Sequence, residues 1–372
     1  MLVFALSLLS LGILISILVL ENFRVRKARK KIPLRILING TRGKSEVTRL
    51  IHTMLRNLHF EPLGKVSGTI PMWLLPDGRQ ERSRRLGPGN VYEMFKALFK
   101  ACRSNCDSLV VECMAITPEL EKVCGRVVNP QVTVITNAFV DHPELGETES
   151  ETMCSLLESI PDGSVCIIPE DVIISEKVVE NLKNRKIKLK VARASEELNS
   201  LTAHLRVFES NLALAVETLI CAGLSYQQLI HVLRNMRTFD HDIGSFRYFK
   251  LSNGSILANA FAANDLASTE RLLAKAVENY PDRRLVGFLN LRKDRAFRTL
   301  RMLEILQRWH FQGLFTNKWC HRMITKVYPN VHILRSPKEL TRYTTSKDLI
   351  FGFGNIKGLE NWLKEVKAKD NM

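Results

Sequence analysis

Between residues 36 and 48 the chain reads Ile-Leu-Ile-Asn-Gly-Thr-Arg-Gly-Lys-Ser-Glu-Val-Thr, an apolar run, a turn bounded by Gly40 and Gly43, and a lysine–serine pair that opens a helix. Two glycines allow the backbone to curl so that successive N–H groups face one anion. The helix N-terminus behind them adds unpaired donors and partial positive charge. In a loop of this kind Gly40, Thr41, Arg42 and Gly43 wrap phosphates, Lys44 reaches the β- and γ-phosphates, and the Ser45 hydroxyl ligates Mg²⁺. The chemistry implied is the binding of ATP with Mg²⁺. Position 38, where the commonest form of such a loop carries glycine, is Ile38, so this loop is a shorter variant.

Two further segments end in residues that suit the same site. Leu109-Val110-Val111 leads to Glu112, and a carboxylate at the C-terminal end of a parallel strand stands where open α/β sheets bind ligands. Mg²⁺ takes few protein carboxylates together with phosphate oxygens, so beside a P-loop Glu112 is a candidate metal ligand, although alone it reads better as a strand-end surface residue. Val134-Ile135-Thr136-Asn137 leads in turn to Asp141-His142. A lone histidine is commonly a hydrogen-bonded structural residue, but three strand ends carrying chemistry argue for one site.

The elements needed to hold these residues are legible from the pattern. Candidate strands at 34–39, 108–114, 131–137, 164–169 and 186–191 alternate with helices, which predicts βαβ units and a largely parallel sheet, closed by helices from Phe208 and Ser225. Pro71, Pro76, Gly78, Gly87, Pro88 and Gly89 predict a long functional loop over 70–90. A hairpin at 247–259 then opens a second alternating series: strands at 285–289, 313–316, 331–334 and 348–353, helices at 265–279, 295–309, 318–327, 337–343 and 356–368. The expected fold is α/β, with an N-terminal transmembrane helix, a P-loop parallel-sheet ATPase domain and a smaller Rossmann-like C-terminal domain. The expected boundaries are an anchor over 1–22, a basic juxtamembrane linker over 23–34, an ATP-binding domain over 35–240 and a C-terminal domain over 241–372.

At 372 residues, with 45% hydrophobic and 25% charged residues, the chain has room for two cores. Its net charge of +16 is unusual. Seven basic residues fall between Arg24 and Arg35, and others cluster at 79–85 and 283–301. One reading is a solvated surface with membrane-proximal charge; the other is a polyanionic ligand. No nucleic-acid-binding module is recognisable, and nucleic acid is not expected as a partner. The eight cysteines form no Cys-x-x-Cys pair and no zinc-ligand spacing, as in a protein of a reducing compartment.

Met1 to Leu20 carry no charge, and about 20 apolar residues span a bilayer core of roughly 30 Å. A cleavable signal peptide would place its positive charge ahead of the apolar run, whereas here the charge follows it. An uncleaved single-pass anchor in the cell membrane is expected, with the N-terminus outside and the catalytic domains cytoplasmic. Only about a dozen residues separate the anchor from the first strand, which leaves no space for a substrate domain ahead of the P-loop.

The loop Gly40–Ser45 resembles that of the Mur ligase superfamily, ATP-dependent amide ligases that include the folylpolyglutamate synthases. Lys65-Val66-Ser67-Gly68-Thr69, Val111-Glu112-Cys113-Met114, Asn137 with Asp141-His142, Asn259 to Asp265, Leu289 to Arg295 and Gly352-Phe353-Gly354-Asn355 together resemble the poly-γ-glutamate synthase branch, the membrane-anchored ligase subunits of capsule biosynthesis. The resemblance covers nearly the whole chain. It implies catalytic roles for Lys44, Glu112 and His142, a metal set of Ser45, Thr69, Glu112 and His142, and adenine contact by Asn211, which also reads as a helix-start residue. His142 would hold the second metal or the reacting phosphoryl group. By charge, Arg292, Lys293, Arg295 and Arg298 are candidates for binding glutamate and its polymer.

The implied reaction is ATP-dependent polymerisation of glutamate through an acyl phosphate, releasing ADP and phosphate. The implied partners are glutamate, the poly-γ-glutamate chain, other membrane subunits of a synthesis and export complex, and further copies of the chain. Alternatives are another amide ligase, such as a folylpolyglutamate synthase, or a membrane-surface P-loop NTPase that is not a ligase. The chain departs from the wider superfamily in three places. No lysine lies between His142 and Lys177 to bridge metals, Asn259 stands where aspartate is common, and no linker arginine is clear near 242–244.

Overall fold

The computed structural model describes residues 2–68, 70–85, 87, 89–140, 143–172, 174–236, 239–263, 266–292, 296–317 and 321–370. The chain divides into two compact units, Met1–Asp240 and His241–Met372.

The first unit begins with one helix, α1 (Leu2–Lys31). Its side chains from Val3 to Leu20 are exposed, and length and composition make it a candidate membrane span. The segment 23–34, expected as a linker, is instead helical through Lys31 and part of the fold. Val25 and Ala28, spaced to share one face of the helix, and Ile32 just past its end are buried in the core of the unit. Arg29 donates through Nε to the Val127 carbonyl at 3.0 Å. Arg35 donates to the carbonyls of Val128 at 3.0 Å and Asn129 at 2.9 Å. These carbonyls close helix α4 (Pro118–Val128), whose last turn has no intrahelical donors for them and attracts cations. Arg29, expected in a juxtamembrane linker, and Arg35, just past it, thus fasten the helix to the body.

The sheet of this unit has eight strands: β1 (Leu34–Asn39), β2 (Pro62–Val66), β3 (Met72–Leu74), β4 (Gln80–Arg82), β5 (Ser108–Glu112), β6 (Val132–Ile135), β7 (Val165–Pro169) and β8 (Lys188–Ala192), in the order β4-β3-β2-β5-β1-β6-β7-β8. All pairings are parallel except β2–β3 and β3–β4. Residues 70–90 are therefore not one long loop. They contain two antiparallel strands too short for alternation to show in sequence, anchored where Lys65, fully buried on β2, pairs with Glu93. Helix α2 (Lys44–Asn57) and the helix Glu209–Cys221 cover one face of the sheet; α1, α3 (Tyr92–Arg103) and α4 cover the other. β1 is central and apolar because both its faces are covered.

The second unit has strands β9 (Tyr248–Lys250), β10 (Ile256–Asn259), β11 (Arg284–Leu289), β12 (Gly313–Thr316), β13 (Val331–Ile333) and β14 (Asp348–Phe353), in the order β13-β12-β11-β14-β10-β9. The expected hairpin is β9–β10, and the remaining pairings are parallel. Helices cover both faces, as in doubly wound folds.

Candidate active site

The register of the first sheet sets the site. Ile38 on β1 pairs with Glu112 on β5, and Asn39 with Ile135 on β6, so the three strand ends marked in the sequence lie side by side. Beyond β1 the chain turns through Gly40 (φ 116°) and Gly43 (φ 81°), left-handed conformations that favour glycine. A Cβ on Gly43 would lie 2.8 Å from Asn211 Oδ1. Helix α2 starts at Lys44.

Asn137 holds the tip of this loop. Its Oδ1 accepts from the Thr41 amide at 3.1 Å, the Thr41 hydroxyl at 2.6 Å and the Arg42 amide at 2.9 Å. Its Nδ2 donates to the Arg42 carbonyl at 3.1 Å. Thr136 adds hydroxyl contacts to the carbonyls of Asn39 and Arg42. The sequence marked Asn137 as part of a motif; only the structure shows it as the support of the loop.

Lys44 donates to the Gly40 carbonyl. Burial pushes its pKa down, and the nearby Glu112 and Cys113 work in the opposite direction. Glu112 is buried, with Oε2 accepting from the Ser67 amide at 2.7 Å and the Ser67 hydroxyl at 2.6 Å, while Oε1 has no partner among the described residues. The Ser45 hydroxyl lies beside the same loop, 2.7 Å from where a Cβ on Gly68 would stand. A hydroxyl, one buried carboxylate oxygen without a partner and an adjacent phosphate-type loop form a donor set suited to Mg²⁺. Among the described residues no group of three or more His, Cys, Asp or Glu side chains could hold a metal by itself, and Mg²⁺ ordinarily completes its shell with phosphate oxygens and water. Thr69, Asp141 and His142 lie outside the described residues.

Asn211 is the third residue of its helix, whose N-cap is Phe208, so it is not the helix-start residue. Its Nδ2 donates to Glu46 Oε1 at 2.9 Å, and the same oxygen accepts from the Phe208 amide at 3.0 Å. Burial raises the Glu46 pKa, opposed by these two hydrogen bonds. Asn211 thus ties its helix to the first turn of α2 and abuts Gly43.

In the second unit Arg292 follows β11 by three residues. Lys293 and Arg295 lie outside the described residues, and Arg298 is placed only by its backbone, in the helix Ala296–Arg308. What the structure shows at these strand ends is an asparagine network. Asn290 donates to the Asn355 carbonyl at 2.6 Å and accepts from Asn317 at 2.5 Å. Asn259 donates to the carbonyls of Ile243 and Ser245.

A P-loop between a central strand and its helix, flanked by strand ends bearing Glu112 and Asn137, is the plan of an ATP-using α/β enzyme of the Mur type. Comparison agrees: residues 38–227 match the Mur ligase middle domain. Residues 246–369 match the poly-gamma-glutamate synthase CapB C-terminal domain. The chain belongs to the Mur ligase superfamily, in its poly-γ-glutamate synthase CapB branch. It is 27% identical over 377 residues to the PGA synthase CapB of Bacillus subtilis (strain 168), covering 95% of each chain. It is 29% identical over 285 residues to the capsule biosynthesis protein CapB of Bacillus anthracis, a match spanning 74% of this chain and 60% of that protein. Among solved structures the fold is shared with folylpolyglutamate synthase from Thermotoga maritima (TM-score 0.68, 14% identity, 94% of this chain and 92% of that one). It is shared likewise with E. coli FolC (TM-score 0.68, 13% identity, 93% and 92%).

Proposed function

We propose that the protein is an ATP-dependent amide ligase that extends poly-γ-glutamate through an acyl phosphate, releasing ADP and phosphate. The observation that carries this reading is the placement of Glu112, with one oxygen fixed by Ser67 and the other without a partner among the described residues, next to the P-loop hydroxyl of Ser45. The family supports the class of reaction, and the named CapB relatives support the polymer.

A carboxylate is a poor electrophile until an oxygen is converted to a leaving group. Transfer of the γ-phosphoryl group to the γ-carboxylate of a glutamate chain end makes that leaving group. The α-amine of an incoming glutamate then attacks, phosphate departs, and the amide remains. Lys44, which now donates to the Gly40 carbonyl, would exchange that partner for phosphate oxygens and balance charge as it shifts toward the leaving ADP. The loop amides, held by Asn137, would keep the phosphates in line. Mg²⁺, when bound by Ser45 and Glu112, with Thr69 and His142 as further candidates, would neutralise the phosphates and polarise the transferred group. Asn211 remains the candidate for adenine, and Arg292, Lys293, Arg295 and Arg298 for glutamate and polymer.

In the cell we place α1 across the membrane with its N-terminus outside, because the basic residues follow the apolar span. The catalytic units would then be cytoplasmic, beside other membrane subunits and further copies of the chain.

The test is the nucleotide product. Full-length protein in detergent, given ATP, Mg²⁺ and glutamate, is expected to form ADP, to do so faster with added poly-γ-glutamate, and to yield a γ-glutamyl hydroxamate with hydroxylamine. AMP as the product would refute the acyl phosphate. Stimulation by folate but not by glutamate polymer would refute the substrate.

A further inference from the structure

Four buried polar side chains that this scheme does not use converge where β1 enters the P-loop. Asn39, 2% exposed, donates through Nδ2 to Glu121 Oε2 at 2.7 Å and to Ser159 Oγ at 3.0 Å. Its Oδ1 accepts from the Gly40 amide at 2.8 Å. The Cys113 thiol donates to the same Glu121 oxygen at 3.1 Å. Glu121 is fully buried on α4, and its Oε1 has no partner among the described residues.

An asparagine amide can be seated in two ways that exchange its oxygen and nitrogen. Here the surroundings allow one. Ser159 Oγ spends its own proton on the Leu156 carbonyl at 2.8 Å and can only accept from Asn39. Glu121 Oε2 accepts as well. With two acceptors on one side, the oxygen of Asn39 must face the Gly40 N–H; turned over, the amide would set donor against donor. The Gly40 peptide is the first of the loop, its φ is 116°, and its carbonyl receives the Lys44 ammonium. A chain of contacts therefore runs from Glu121 through Asn39 and Gly40 to Lys44.

We propose that Glu121 is a positioning residue for nucleotide binding: it fixes the orientation of Asn39, which sets the Gly40 peptide and through it the seat of Lys44. The proposal rests on the reading of this loop as the ATP site and not on which carboxylate is activated. Burial pushes the Glu121 carboxyl's pKa up; toward Asn39 its Oε2 serves as a hydrogen-bond acceptor, a role that the side-chain oxygen of glutamine can also fill.

The test uses full-length protein in detergent and a fluorescent N-methylanthraniloyl ATP, which reads nucleotide affinity without polymer chemistry. Glu121→Met keeps the volume and removes the acceptor; it is expected to weaken binding about tenfold. Glu121→Gln is expected to bind within about twofold of wild type. Asn39→Ala is expected to cost about tenfold, and the double variant Asn39→Ala/Glu121→Met no more than Asn39→Ala alone, because both act through one contact. A general loss of packing would instead lower thermal stability in both Glu121 variants and multiply with Asn39→Ala. Affinity within twofold for Glu121→Met, a tenfold loss for Glu121→Gln, or a roughly hundredfold loss in the double variant would each overturn the proposal. No binding by wild type would overturn the ATP-site reading itself.

Discussion

Ser67 gives both its backbone amide and its hydroxyl to one oxygen of Glu112, at 2.7 and 2.6 Å, and the other carboxylate oxygen has no partner among the described residues. A buried carboxylate held on one side only is prepared for a cation on the other. Ser67→Ala removes the shorter of the two bonds. It is expected to raise the Mg²⁺ concentration for half-maximal ADP formation severalfold with little change at saturating Mg²⁺. Glu112→Gln is expected to lower the rate by at least about a hundredfold, on the scale of lost charge stabilisation in phosphoryl transfer. A magnesium titration of ADP release separates them, and an unchanged midpoint in Ser67→Ala would count against Glu112 as a ligand.

Asn137 carries four hydrogen bonds to Thr41 and Arg42. Asn137→Ala leaves loop amides without their acceptor, a loss of about 1–2 kcal/mol, or roughly tenfold in nucleotide affinity. Lys44→Ala is expected to abolish turnover while the loop keeps its shape. Calorimetric titration with an ATP analogue should show weaker binding in Asn137→Ala, and equal affinity with wild type would show that the loop holds without it.

The end of α1 is part of the catalytic unit. Deleting residues 2–22 is expected to give a soluble protein that binds nucleotide, because Val25, Ala28 and Ile32 remain to fill the core. Extending the deletion through Ile32 exposes that core and strips the α4 carbonyls of Arg29. It is expected to lower the midpoint of thermal unfolding by several degrees or prevent folding. Equal midpoints for the two truncations would show that the helix is only an anchor.

His52, buried on α2, is held down to about 4 by burial, with the Arg56 and Arg49 guanidiniums adding to the effect. An unfolded histidine titrates near about 6.5. Between these values the unfolded chain binds the extra proton, so this contribution is complete above about pH 6.5 and is lost as pH falls toward 4. Linkage sets it at up to about 3 kcal/mol. Urea denaturation at pH 5 and pH 7 should show a smaller loss in His52→Leu than in wild type. The same loss in both would assign the acid sensitivity elsewhere.

Local pattern was enough for the alternation of strands and helices, for the P-loop and for the apolar N-terminal helix, because each is written in contiguous residues: buried parallel strands are apolar runs, and a phosphate loop needs its glycines, lysine and serine in order. The short strands Met72–Leu74 and Gln80–Arg82 were not legible, since three residues show no period; the first owes its place to pairing with β2 and the second to pairing with the first. The basic stretch after Leu20 read as a linker because its charges are local, whereas its buried face is defined by α3 and α4, some sixty residues and more away. The residue types at the site were visible one at a time. Their partnerships, Ser67 with Glu112, Asn137 with Thr41, Asn39 with Glu121, depend on parallel strands from distant parts of the chain ending side by side and on a helix packed against them. Only tertiary structure decided them, because a hydrogen bond between residues 45, 96 or 82 positions apart leaves no periodicity in the sequence.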